Sequence, residues 1–72
     1  MTVYDLQVKE QAKIKSFTDS ESHFSRSLLR HGFFPDTHLK MIKKMAGHGP
    51  VIVEVDGKEF ALSKEEAANI LI

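Results

Sequence analysis

From Val51 to Leu62 the chain alternates Val51, Val53 and Val55 with Ile52 and Glu54, breaks at Asp56-Gly57, and resumes its apolar alternation at Phe60 and Leu62. A β-branched run with a period of two lays one face of a strand on a core. An Asp-Gly pair accepts the two left-handed conformations that a type I′ turn demands. The stretch predicts a hairpin with Asp56 and Gly57 as its structural turn, and the rest of the chain must supply what that hairpin packs against.

Three further segments carry readable signals. Gln11 to Phe17 alternates, with Ala12 and Ile14 on one face and Lys13 and Lys15 on the other, and predicts a first strand. Side-chain oxygens in Thr18 to Ser22 suit a helix start. The segment from Ser22 to His31 then predicts a helix of about ten residues, with Phe24, Leu28 and His31 on one stripe and Arg26 and Arg30 in water. Arg30 and His31 suit the negative helix end. Gly32 supplies a left-handed stop, and Pro35 cannot continue a helix. Pro35-Asp36 fits the centre of a turn. A strand follows, with Leu39 and Met41 on one side and Ile42 spoiling a clean alternation. Ser63 to Glu66 spells a capping box for a short helical turn, and Ile70 to Ile72 reads as a last strand. Together these predict a mainly β fold, a small barrel of about five strands with one inserted α-helix that plugs an end and a short helical turn before the last strand.

Size and charge narrow the function. A chain of 72 residues is expected to form one domain, residues 1–72, that buries only about 60% of the surface its unfolded form exposes. A deep substrate cleft is not expected. Cysteine is absent, so no disulfide or thiolate metal site supports the core, and a reducing compartment fits. Ten basic and ten acidic residues cancel, which removes the one-signed field of a general nucleic-acid or anionic-membrane binder. No apolar run approaches the roughly 20 residues of a membrane span.

The chemical inventory points the same way. Catalysis needs a nucleophile paired with a base, or two carboxylates in separated environments, and neither has a recognisable spacing here. Ser20, Ser22, Ser25 and Ser27 read as helix-start and helix-surface residues. His23, His31, His38 and His48 lack the tight spacing of a helical metal pair, so neither metal nor cofactor is expected. Gly47-His48-Gly49 precedes Pro50 and a valine strand, so it reads as a connection rather than a phosphate cradle. Lys40, Lys43 and Lys44 with Arg26 and Arg30 form a basic face without an aromatic platform, and RNA binding is the third-ranked reading. Phe33 and Phe34 are adjacent just past the helix stop, so both cannot easily turn inward.

Leu28-Leu29-Arg30-His31-Gly32-Phe33-Phe34-Pro35-Asp36-Thr37, a strand, a Gly-Pro loop before a Val/Ile strand, and Leu62-Ser63-Lys64-Glu65-Glu66-Ala67 followed by Ile70 resemble the FeoA family, in order and spacing more than in one motif. The resemblance runs from about Leu6 to Ile72. It implies an SH3-like barrel and a free-standing, non-enzymatic, cytoplasmic accessory protein of ferrous-iron uptake that docks on the FeoB membrane transporter or on its own copies. The alternative it implies is a regulatory domain related to the C-terminal domain of iron-dependent repressors, with transition-metal binding. Arg30, Phe33, Phe34 and Pro35, with His48 as a neighbour, are the expected partner-binding residues, since an aromatic and an arginine on a proline turn form a rigid anchor. The sequence departs from the family at Asp36 and near Lys9, where glycine is usual. It also departs in the Met45 to Pro50 loop, usually Ala-Pro-Leu-Gly-Asp-Pro, and at Ser63, where arginine is expected.

Overall fold

The computed structural model describes residues Met1–Ile72. Strands β1 (Gln11–Lys13), β2 (Ser16–Phe17), β3 (His38–Lys44), β4 (Val51–Val55), β5 (Lys58–Leu62) and β6 (Ile70–Leu71) are joined by helices α1 (His23–Arg30) and α2 (Lys64–Ala68). All strand pairs are antiparallel. They form a four-stranded sheet of order β1-β3-β4-β5 and a separate pair, β2-β6. The expected closure does not occur as a continuous ladder: there are six strands, and β5 is left with β4 as its one partner.

The hairpin forms as its residues dictate. Val55 pairs with Lys58 across Asp56 and Gly57, whose φ angles of 55° and 80° are the left-handed pair of a type I′ turn. Val51, Val53 and Val55 are buried, and they build one apolar cluster with Leu39 and Met41 of β3, Leu28 of α1, Phe33, Ile70 and others. In β3 the register shifts between Met41 and Lys43, a bulge that takes Ile42 out of the alternation and leaves it half-buried.

Two expectations change, and one element is added. The segment Gln11 to Phe17 is two strands in two sheets. Ile14, fully buried between them, receives a bond from the Asp36 N–H at 2.7 Å and donates to the Thr37 carbonyl at 2.9 Å, while Lys15 N–H already reaches Leu71 at 2.8 Å. The alternation survives the crossing, which is why the sequence reads as one strand. On α1, Phe24 is 41% exposed and Ser25 is buried in its place beside Leu28. Ser25 can turn inward because its hydroxyl donates to the Asp19 carbonyl and accepts from Asn69 Nδ2 at 2.7 Å. The N-terminus adds an unanticipated 3-10 turn, Val3–Asp5, which buries Val3. The Thr2 backbone N–H donates to Asp5 Oδ2 at 2.9 Å and holds that exposed carboxyl below the usual carboxylate range.

Asn69 joins distant segments. Its Oδ1 accepts from the Thr18 hydroxyl and from the Asp19 N–H at 3.2 Å, and its own carbonyl accepts from Thr18 N–H at 2.9 Å. Replacing it with alanine strips partners from groups that are buried or partly so, which costs about 1–3 kcal/mol. Asn69→Ala is therefore expected to lower the unfolding free energy by that amount, seen as a lower urea midpoint with an unchanged m-value.

Lys9 adopts φ of 76° where the chain turns into β1, with its N–H bonded to the Met41 carbonyl at 2.7 Å. A left-handed conformation is costly for a side chain with a Cβ and free of that cost for glycine. Lys9→Gly is expected to raise stability by about 0.5–1 kcal/mol, measurable as a higher thermal midpoint.

Candidate functional site

The candidate site begins where α1 stops. His31 caps the helix, Gly32 takes φ of 92°, and the N–H groups of Gly32 and Phe33 return to the carbonyls of Leu29 and Leu28, both at 3.1 Å. This Schellman arrangement brings the second residue past the cap, Phe33, back onto Leu28. Phe33 is fully buried in consequence, a contribution of about 1.5–3 kcal/mol. Phe34 must then face outward, and it is 53% exposed.

Phe34 is held from both sides of the chain. Its carbonyl accepts from Thr37 N–H at 3.1 Å across Pro35 and Asp36, and Asp36, at φ of 72°, is tied to Ile14 as described. A turn with positive φ at its third residue and proline at its second is type II. The residue that departs from glycine here keeps the glycine-like backbone.

Beneath Phe34 lies an aromatic stack. Phe33 meets Phe60 of β5 edge to face at 5.1 Å, and Phe60 meets the His31 ring at 6.1 Å in the same manner. His31 Nδ1 is 2.8 Å from the Ser27 carbonyl, which orients the ring. Around this floor an open groove of about 720 Å³ is walled by Arg30, His31 and Gly32 on one side and by Val55, Asp56 and Lys58 at the hairpin tip on the other. Phe34, Thr37 and His38 close its third side. Arg30 and Lys58 face a single carboxylate, Asp56, in this lining, so the groove is locally cationic on a chain of zero net charge.

The expected partner residues separate in space. Arg30 and Phe34 line the groove. Phe33 supports it from below and reaches no solvent, and Pro35 is an exposed part of the turn outside the lining. His48 lies in the β3–β4 connection, at the opposite end of the ladder from His38, roughly 20 Å along a seven-residue strand. Lys58 and Phe60 were missed. Their strand was legible in the sequence, but its position beside the end of α1 was not.

Other inventories resolve simply. No three His, Asp or Glu side chains are grouped to hold an ion. Ser25, expected on the surface, is buried and committed to hydrogen bonds. Lys44 of the basic face is drawn into the fold, donating to the Tyr4 carbonyl at 2.9 Å with its Nζ 5.3 Å from the Tyr4 ring centre. No helix is long and apolar enough to cross a membrane.

The domain is small and mainly β, and its most exposed aromatic, Phe34, sits on a turn beside the groove. The FeoA domain family matches residues 1–72, and the chain belongs to that family. No curated protein matches it. Among solved structures it is similar to FeoA of Stenotrophomonas maltophilia in complex with zinc, a prokaryotic SH3 domain protein with a suggested role as a ferrous iron transport activating factor. The two share 27% identity over 99% of this chain and 87% of that one, at a TM-score of 0.85. A FeoA-like protein of Clostridium acetobutylicum superposes at 0.88, with 22% identity over 99% and 81% of the two chains. A manganese-dependent transcriptional repressor carries the same fold over 39% of its length, at 0.87 and 16% identity, with 97% of this chain covered.

Calorimetry with ferrous or zinc ions near neutral pH is expected to reveal no tight stoichiometric site, because there is no cysteine and no three His, Asp or Glu side chains are grouped to hold an ion. Submicromolar binding abolished by a single His→Ala change contradicts this.

Proposed function

We propose that this chain is a non-enzymatic, cytoplasmic accessory protein of ferrous-iron uptake, an SH3-like module that docks on the FeoB membrane GTPase transporter and modulates it. Membership of the FeoA family supports the transport context. The observation that carries the docking surface is Phe34, a large aromatic left exposed on a pinned turn next to Arg30. Interfaces draw most of their energy from a few such residues, and a preorganised turn loses little entropy on binding. The serine and histidine placements offer no nucleophile–base pair, which supports a binding role over a catalytic one.

A second reading has its own observation in the repressor that shares this fold: a regulatory domain acting in trans on metal-dependent transcription. Neighbouring coding sequence separates the two, since a large GTPase transporter alongside favours the adaptor and a repressor favours the regulator.

Capture of FeoB from membranes, with and without guanine nucleotide, tests the adaptor. Phe34→Ala or Arg30→Ala is expected to weaken capture by about 1–2 kcal/mol, roughly tenfold, while leaving the fold intact. Gly32→Val serves as the folding control, because valine resists the left-handed stop. Folded Arg30 and Phe34 variants that capture FeoB like the parent would place the anchor elsewhere.

A further inference from the structure

We infer that the groove takes an extended acidic segment of the partner protein, added as a strand along the free edge of β5. The inference rests on the docking role proposed above and specifies the chemistry of what docks.

Backbone pairing supplies the first support. In a two-residue hairpin the flanking pair, Val55 and Lys58, exchanges both of its backbone bonds, and so do Val53 with Phe60 and Val51 with Leu62. The intervening residues of β5, Glu59 and Ala61, therefore turn their N–H and C=O groups away from β4. With β5 at the end of the sheet order, no strand receives them. Such an edge is a template for an extended chain, which gains main-chain bonds from it and specificity from its alternate side chains.

Charge then selects the occupant. The large groove and a smaller one of about 100 Å³ share His31 and Phe60, and together they follow β5 from Lys58 to Leu62 beside α1. The Lys58 end carries Arg30 as well, and none of the side-chain hydrogen bonds of the fold uses either cation. The Leu62 end carries Glu66, whose carboxylate is already occupied by the Ser63 N–H at 2.9 Å. Carboxylates of the segment belong at the Lys58 end, and an apolar side chain belongs one alternate position along, over Phe60 and against Phe34. The residue between them faces the outer side of the sheet, beside Glu59, which already stands opposite Glu54 in the β4 register. A further acid there adds like-charge repulsion, so that position is neutral or basic. The recognised pattern is acid, non-acid, apolar, in extended conformation.

Synthetic peptides with that alternation, and composition-matched peptides with the acid moved by one residue, test the idea on the full chain by fluorescence anisotropy and amide exchange. The patterned peptide is expected to bind saturably and to weaken as salt rises. Lys58→Glu or Arg30→Glu should each lower its affinity about tenfold or more, whereas Lys13→Glu, an equal charge change on the opposite edge strand, should alter it less than about twofold. The amides of Glu59 and Ala61 should gain exchange protection. Equal binding of the shifted peptide, unchanged exchange at Glu59 and Ala61, or capture of FeoB by a chain that ignores every such peptide would overturn the inference while leaving the docking role standing. Peptide binding without capture of FeoB would instead remove the transporter as partner and leave the recognition chemistry intact.

Discussion

One buried amide ties the two helices to the β2–β6 pair. Asn69, at the end of α2, satisfies the Ser25 hydroxyl of α1 with its Nδ2 and the Thr18 hydroxyl and Asp19 N–H with its Oδ1. Its backbone carbonyl continues the β2–β6 pairing through Thr18 N–H. The Ser25 hydroxyl and the Asn69 amide are buried and costly to leave unpaired, so the amide sets where α1 starts relative to α2 and β6. The position of the helix end, and with it the groove, follows from that anchor and from the 3.6-residue period of α1.

The groove itself is a by-product of how a helix stops. A left-handed glycine sends Phe33 inward and Phe34 outward, and the next turn, pinned to Ile14 through Asp36, fixes the second aromatic in place. Buried Phe33 and half-buried Phe60 give the surface a stiff apolar floor. A rigid floor with cationic walls loses little conformational freedom when something covers it, which favours recognition by shape and local charge on a chain with no net charge.

Leaving the sheet open has consequences of its own. β2 pairs with β6 instead of extending β1, because Ile14 ties the chain to the turn at Asp36 and Thr37 and Lys15 crosses to Leu71. The four-stranded sheet therefore ends at β5 with unpaired backbone beside α1. A small domain with an open edge must blunt it against self-pairing, and the charges of Lys58 and Glu59 do so. The same charges restrict which extended chain fits there.

Local chemistry determined much of this protein from the sequence alone. The Asp56-Gly57 hairpin, the Ser22 and Ser63 caps, the Gly32 stop and the Pro35-Asp36 turn all depend on one or two residues and their nearest backbone, so their signals are complete within a few positions. That adjacent Phe33 and Phe34 cannot easily both turn inward was legible too, but the sequence left open whether either would stay exposed. The tertiary structure decided the rest. The break after Lys13, the inward turn of Ser25 in place of Phe24, and the meeting of Lys58 and Phe60 with Arg30 and His31 each depend on partners tens of residues away. The sequence signal and the hydrogen-bonding demand differ in range. Periodicity records which face of an element is apolar, but not which distant donor makes a buried serine cheaper than a phenylalanine, nor which two walls will face each other across a groove.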